Sequence, residues 1–502
     1  MAGVYGDYNR DRIGWFLGLR GGQLAVLTVG SLPIFVFAER GAWSAALLGI
    51  GGWVLLVLVT VVPVRGRSAI GWFVASAGFL AGGAAGWTLW RSRAATGRAD
   101  DLDQADLPGV LQPVEVHDGP PHGPAQTRVA VIQNHAHRTW AVTARVIHPG
   151  IGMADGTQRD RFGSGLSGLL EGAARTELID ELQLMVRTVP DDGAERDLWL
   201  TRHRRPGSPL LARQVNDDLR RNLTGASVRT ECFVTVVVPE TRVTKRAREH
   251  GGRLDGRARV VFGLMAEVEA QLRGGMGMED VAWLTSPELA LVCRTGFAPG
   301  DRAGIIAALA ERDDNPTVNA DVPWAHAGAS GADTAVRHYS HDAWHSVSAT
   351  LTLPVKGAPL GALAPILTPG QAGERRSFVA CYPILAQSVA DRRTASNEWA
   401  ADLGDGLRAK LRVRQRARSR DEAAKARGVD RKLARGNVLT RPYAVCCVTV
   451  AKTARIAESA AQLDASIRRA GFAPLRLDLA HDVGFAAATI PLGLGLTRRT
   501  TS

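Results

Sequence analysis

The run richest in chemically capable side chains is His338-Tyr-Ser-His341-Asp342-Ala-Trp344-His345. Three imidazoles and a carboxylate this close together are the raw material of a zinc site or of general acid–base work. On a helix, His338, His341 and His345 would share one face at 3-and-4 spacing. The residues that follow, Ser-Val-Ser-Ala-Thr-Leu-Thr-Leu, are strand-like. On a continuous strand His341 and His345 share a face and His338 points away. Local hydrogen bonding at a strand entrance is the expected role, and a membrane-tethered, metal-dependent enzyme built on 338–345 is the contrasting one.

Other signatures of chemistry are missing. The chain has no Gly-Lys dipeptide, which excludes the G-x-x-x-x-G-K-[ST] loop that cradles nucleotide phosphates. Neither G-x-S-x-G nor H-E-x-x-H occurs. Gly163-Ser-Gly-Leu-Ser-Gly168 spells G-x-G-x-x-G, but Arg159-Asp160-Arg161 precede it where a dinucleotide site needs an apolar strand. A flexible helix start is the better reading. Asn134, His135 and His137 read as a hairpin turn. The expectation is therefore no catalytic residue, no metal and no cofactor.

Charge is concentrated in one place. Residues 408–435 carry twelve Lys or Arg against Asp421, Glu422 and Asp430, most of the chain's net +12. Lys410, Arg412, Arg414, Arg416, Arg418 and Arg420 recur at every second residue, which spreads charge around a helix. Anionic lipid headgroups or an acidic partner would suit them. Nucleic acid is the less favoured ligand, because the run holds no aromatic residue on which bases could stack.

These segments must be held by a chain of 502 residues, enough for two to four domains of roughly 150 residues each. Its 45% apolar and 22% charged residues exclude wholesale disorder. Five cysteines without a C-x-x-C exclude a disulfide scaffold and a cysteine zinc site.

The N-terminal end is membrane-like. Residues 21–38 are free of charge, Glu39 and Arg40 interrupt, and 41–64 are again uncharged. Two such runs joined by so short a connection predict a transmembrane helical hairpin. Arg10, Arg12 and Arg20 precede it and Arg65 and Arg67 follow, so both ends should face the cytoplasm. Residues 69–90 are also uncharged and place Gly78, Gly82 and Gly86 four apart, a small-residue stripe for close helix packing. Half of that segment is Gly or Ala, so a helix at the membrane interface or against the hairpin is favoured over a third span.

The remainder alternates strand-like and helix-like runs. Strands are expected at 129–132, 140–147, 182–188, 232–238 and 281–284, then at 344–353, 377–382, 443–450 and 474–479. Helices are expected at 161–175, 206–222 and 257–273, after Pro287, and at 359–367, 388–434, 457–470 and 481–489. Cys232-Phe-Val-Thr-Val-Val-Val and Cys446-Cys-Val-Thr-Val each follow a basic stretch and precede a helix and a strand. The expected fold is thus a transmembrane hairpin followed by a cytosolic α+β region of two repeated ferredoxin-like units. The expected boundaries are a cytoplasmic tail 1–20, hairpin 21–64, interfacial or third membrane helix 65–96, linker 97–127, first α+β domain 128–311, linker 312–335, second α+β domain 336–497 and tail 498–502.

Several short landmarks carry a resemblance. They are Tyr5-Gly, Arg65-Gly-Arg67-Ser after the hairpin, the block from Gly163 to Gly193 ending Leu182-Gln-Leu-Met-Val-Arg-Thr-Val-Pro-Asp-Asp-Gly, Asp342-Ala-Trp-His345, and Phe485-Ala-Ala-Ala-Thr-Ile-Pro-Leu-Gly493. In this order the chain resembles an actinobacterial family of integral membrane proteins from conjugation-like, type IV secretion-type gene clusters. Such proteins look like a channel hairpin subunit joined to the N-terminal, non-ATPase domain of a conjugative ATPase. The Gly/Ala-rich 69–90 departs from the more charged helix such a family would place there. The resemblance implies a non-enzymatic scaffold in the plasma membrane, multi-pass, with a large cytoplasmic domain. It also implies a separate ATPase and other membrane subunits as partners, and an oligomer. A similar layout occurs in the E component of actinobacterial type VII secretion, the alternative within secretion.

Overall fold

A computed structural model describes residues 4–5, 21–61, 63–64, 67–152, 154–224, 228–352, 358–359, 361–385, 438, 440 and 442–496. They fall into two units. The chain begins with β1 (Val4–Tyr5), which belongs to the larger unit. The smaller contains α1 (Gly21–Glu39), α2 (Trp43–Val61), the two-residue strands β2 (Pro63–Val64) and β3 (Arg67–Ser68), and α3 (Ala69–Ala84).

Small residues let α1 and α2 pack closely. Gly30 lies against Leu56 and Gly49 against Ile34, and Trp53 Nε1 donates to the Leu27 carbonyl at 2.9 Å. Gly41, at φ 69°, makes the turn between the helices. The outer faces are apolar and open, with Phe35 65%, Leu48 79% and Leu55 62% exposed, a pattern that marks contact with lipid or protein. Among the described residues one helix, Trp43–Val61, is long and apolar enough to cross a membrane; the apolar helical stretches Ala25–Glu39 and Ala69–Ala84 are shorter. At about 1.5 Å per residue, α2 nearly matches a hydrocarbon core of about 30 Å.

The larger unit is α+β. Its elements run β4 (Leu89–Arg91), β5 (Val114–His122), β6 (Thr127–Asn134), β7 (Thr139–Ile147), α4 (Gly156–Arg175), β8 (Glu181–Pro190), α5 (Ala194–His203), α6 (Leu210–Thr224), β9 (Val228–Pro239), α7 (Glu240–Ala247), α8 (Arg253–Gly274), β10 (Asp280–Trp283) and α9 (Ser286–Phe297). Then come α10 (Arg302–Asp314), α11 (Trp324–Ala327), β11 (Gly331–Thr334), β12 (Tyr339–His341), β13 (Trp344–Thr352), β14 (Ala358–Pro359), α12 (Ala364–Leu367), β15 (Arg375–Pro383), β16 (Tyr443–Ala451), α13 (Ile456–Arg469), β17 (Ala473–Arg476) and α14 (His481–Thr489).

One 13-stranded sheet, antiparallel at every pairing, organises this unit. Its order is β4-β11-β12-β13-β16-β15-β8-β9-β7-β6-β5, with β10 also on β7 and β17 also on β13. The middle strands are buried on both faces, which explains why they are near-continuous apolar runs such as Phe233–Val238. On one face Met185, Phe233, Val379 and Val445 pack under α9 and α14 through Leu289, Phe297 and Phe485. On the other, Val347, Phe378 and Val448 pack under α12 and α13 through Ile366, Leu463 and Ile467. Each such side chain contributes about 1.5–3 kcal/mol on burial. The start of α9 is set locally: Thr285 and Glu288 form a reciprocal capping box, with Pro287 between them.

Read outward from its middle, the sheet is the same in both directions. On one side the order is β8-β9-β7-β6 with β10 on β7; on the other it is β15-β16-β13-β12 with β17 on β13. The register agrees. Val186 pairs with Phe378 at the centre. Two outer pairings, Thr143 with Thr235 and Ser346 with Thr449, occupy corresponding positions.

Several expectations change. The stretch 97–127 is no linker, since it supplies buried Asp106, Leu107 and Leu111 and the edge strand β5. Its prolines disguise the strand, but prolines are tolerated at a sheet edge, and Pro121 follows a break in register. Likewise 312–335 carries α11 and β11. Regions 128–311 and 336–497 share one sheet because β8 and β15, each buried on both faces, pair with one another. The glycine stripe is also interrupted. Gly78 and Gly82 lie on α3, but Gly86 lies beyond its end at φ 76°, the left-handed conformation that often terminates helices. Gly82 is buried, and nothing lies within 4 Å of a Cβ built on Gly78.

Candidate functional site

The polar residues of the sheet interior converge under the C-terminal ends of α9 and α14. Arg187, on β8, is 1% exposed. It donates through Nη2 to Glu231 Oε2 at 2.6 Å and through Nη1 to the carbonyls of Val292 and Thr489, both at 3.1 Å. Phe233 lies under its guanidinium, 5.0 Å from ring centroid to Cζ. Arg375, on β15, donates to the Thr295 carbonyl at 2.9 Å and to Thr449 Oγ1 at 3.2 Å. Burial, then the neighbouring Arg187 charge, presses the Arg375 pKa down, yet a guanidinium stays protonated at physiological pH. Both cations thus satisfy carbonyls at helix C-termini, where the helix dipole favours positive charge.

From Thr449 a directed chain of hydrogen bonds leads to His341. Thr449 Oγ1 lies 2.7 Å from Ser346 Oγ, which lies 2.8 Å from His341 Nε2, while His341 Nδ1 lies 2.8 Å from the Phe297 carbonyl. A carbonyl only accepts, so Nδ1 carries the proton and Nε2 accepts from Ser346. Ser346 then accepts from Thr449, and Thr449 from Arg375. Burial first, then Arg375, holds the fully buried His341 well below the ordinary imidazole pKa, consistent with this neutral tautomer.

The 338–345 cluster is therefore divided rather than gathered. It is a hairpin, β12–β13, turned by Asp342 at φ 46° and Ala343. Because the chain reverses, His341 pairs with Trp344 and Ser340 with His345, and paired residues share a face. His341 and His345 thus point to opposite faces, contrary to the continuous-strand expectation. His345 Nδ1 lies 2.8 Å from Ser340 Oγ and its ring meets His338 at 4.8 Å between centroids. Asp342 accepts from Ser330 N at 2.8 Å and from Arg294 Nη1 at 3.2 Å, so its carboxylate is committed to the turn. Among the described residues, no group of three or more His, Cys, Asp or Glu could hold a metal ion.

Other predicted positions resolve similarly. The glycines of 163–168 lie inside α4, where a Cβ on Gly165 would meet the Gly275 carbonyl oxygen at 2.1 Å. They serve close packing of α4 on α8, not a ligand loop. Asn134 does make the hairpin turn, accepting from His137 N at 3.0 Å. Lys410, Arg412, Arg414, Arg416, Arg418 and Arg420 lie outside the described residues.

The tail after α14 completes the interior. Thr143 Oγ1 bonds Thr235 Oγ1 at 2.9 Å and donates to the Pro491 carbonyl at 2.8 Å. Gly493, at φ 75°, sits on Ala141 and Val237, where a Cβ would come within 3.1 and 3.2 Å. Leu496 N donates to the Tyr443 hydroxyl at 3.1 Å. The chain's last described residues therefore cover β7 and β9, while the end of α9 reaches His341 on β12. Sequence reasoning missed Arg187, Arg375, Ser346 and Thr143. For Arg187 and Thr143 the available signal was a polar residue midway along a largely apolar strand. No protein-family model and no curated protein matches this chain.

Proposed function

We propose that this chain is a non-enzymatic scaffold of the plasma membrane. Residues 21–64 form a two-pass hairpin, and a duplicated α+β region, two ferredoxin-like units joined through β8 and β15, lies in the cytoplasm. In this reading it docks a separate ATPase and other membrane subunits of a conjugation-like, type IV secretion-type system.

The observation that carries the topology is the pairing of Val4 with Pro359 and of Tyr5 with Ala358. Strand partners share a compartment, which in this reading supports an even number of membrane crossings between Tyr5 and Ala358. Two crossings by α1 and α2 satisfy that count, and a third by α3 breaks it. The open apolar faces of α1 and α2 support lipid contact. The scaffold role draws support from the interior polar groups, whose hydrogen-bonding capacity joins elements distant in sequence, as Arg187 joins β8, β9, α9 and α14.

Reporter fusions at Gly3 and at the C-terminus test the reading, using a reporter that fluoresces only when exported and one active only in the cytoplasm. Both ends are expected to report cytoplasm. An exported C-terminus with a cytoplasmic N-terminus would overturn it. Affinity purification from native membranes tests the partner, with a secretion ATPase the expected companion. An E-like role in type VII secretion would return that system's membrane subunits instead.

A further inference from the structure

A cavity of about 510 Å3 lies on the α13 face of the sheet, between the loop after α12 and α13 itself. Its volume falls within the range of small-molecule sites. Arg376 lines it and is 1% exposed. The Nε of Arg376 lies 2.5 Å from Glu374 Oε1, but its Nη1 has no hydrogen-bond partner. Glu374 is itself occupied, since Oε2 accepts from Gly370 N at 2.6 Å and Gln371 N at 3.1 Å. Gln462, which also lines the cavity, has a buried side-chain oxygen without a partner. Buried orphan groups are rare in folded proteins, and here two of them border one cavity.

The cavity's chemistry suits an anion. Arg376 and Arg469 bring two guanidinium charges against the single carboxylate of Glu374, and Ser466 adds a hydroxyl. Guanidinium N–H groups match the oxygens of phosphate in spacing and direction. Pro365, Pro369 and Ala465 line the remainder with apolar surface. The glycine at 370 keeps the space open, because a Cβ there would come within 3.0 Å of Gln462 Oε1.

The other half of the sheet differs at the corresponding place. Counting two residues back from the central pair Val186–Phe378, Arg376 corresponds to Leu184. The connection from β7 to β8 there is the 20-residue α4, packed on α8 at Gly165 and Gly275. Among the described residues, the helix in the matching connection from β13 to β15 is the four-residue α12. A shortened helix and a Leu-to-Arg difference coincide at one position.

We infer that this cavity binds a phosphate monoester, with the phosphate on Arg376 and Arg469 and the organic part against Pro365 and Pro369. A soluble metabolite or a lipid headgroup could present that group. Full-length protein in detergent would be titrated by calorimetry with sn-glycerol 3-phosphate, inorganic phosphate and acetate. In parallel, protein in phosphatidylcholine vesicles with and without phosphatidic acid would be monitored for thermal stability. Saturable one-site binding of glycerol phosphate, or stabilisation specific to phosphatidic acid, is expected, and which of the two appears identifies the source. Arg469→Gln should weaken that binding about tenfold, the effect of one charge-assisted hydrogen bond. Arg376→Gln should abolish it, and Arg469→Gln carries the test if that variant fails to fold. Arg455→Gln, a basic residue 83% exposed elsewhere on α13's approach, should leave binding unchanged. No saturable binding of either monoester, equal binding of acetate, inorganic phosphate bound in preference to the ester, or an Arg469→Gln variant that binds like wild type would each overturn the assignment.

Discussion

Val186 on β8 lies directly across from Phe378 on β15, and the pairing order of the sheet repeats outward from that contact on both sides. A strand that finds its partner this way leaves a long, apolar edge when the partner is removed. Residues 86–311 expressed alone are therefore expected to associate, with β8 pairing to its own copy about Val186. Light scattering after size exclusion checks this, and a folded monomer would argue against the central role of the pair.

Deleting 490–502 should destabilise the half of the sheet farthest from it in sequence. Ile490, Leu492 and Leu494 are all buried, each worth about 2 kcal/mol, and Thr143 and Tyr443 would lose hydrogen-bond partners. Hydrogen exchange is the measurement, with faster exchange expected in β7 and β9 than in wild type. Unchanged protection there would show that the tail is dispensable.

Stability should fall on mild acidification. Burial holds His341 and His345 below the ordinary imidazole value and takes His481 to about 4. The unfolded chain binds these protons near pH 6.5 and the folded chain only at lower pH. Their contribution is therefore complete above about pH 6.5 and is lost as pH falls through the folded-state values. His341 alone can supply up to about 1.4 kcal/mol per pH unit within that window. Tm is expected to drop between pH 7 and 5, and less steeply in His341→Gln. A Tm constant over that range would contradict a neutral buried His341.

Ser346→Ala interrupts the chain from Arg375 to Phe297 and leaves His341 Nε2 without its donor. The cost should be about 1–3 kcal/mol in urea denaturation. Arg455→Ala, which breaks an exposed pair with Glu458, should cost less than about 0.5 kcal/mol. Similar effects from both variants would mean that the interior chain carries no special weight.

Reversing Arg412, Arg414, Arg416 and Arg418 to Glu tests the basic run. Flotation with anionic vesicles, or co-purification with the proposed ATPase partner, should weaken in a salt-dependent manner while Tm stays within about 2 °C. Unfolding would make the run structural, and DNA as its sole ligand would remove it from the membrane-scaffold reading.

Much of the sheet was legible from periodicity. Strands near 140–147, 232–238 and 443–450 stand out because both faces are buried and the runs are apolar throughout. Helix 481–489 was readable to the residue. Strand β5 was hidden by Pro120 and Pro121, and β11 by a polar stretch, because edge strands lack the pattern that burial imposes. The polar interior was illegible for another reason. Arg187, Thr143 and His341 depend on carbonyls 44 to 348 positions away in the chain, and no local pattern encodes such distances. The cavity beside Arg376 was illegible likewise, since a short helix and an arginine on a strand mean little until the two are seen to lie together.

The crossing of the last residues over β7 and β9 bears on how this protein is made. Thr143 receives its final partner, the Pro491 carbonyl, 348 residues after it leaves the ribosome. Strand β4, the first of the sheet to emerge, likewise waits for β11. β13 also waits for β16, some hundred residues later, so the nascent chain carries an open strand edge until β16 emerges. A chain tethered early by its N-terminal helices would spend that interval held apart from its neighbours, which limits the pairing of edges between molecules. The same arrangement makes a prematurely terminated product a failure in its first half as well as its last, and so a ready target for proteolysis.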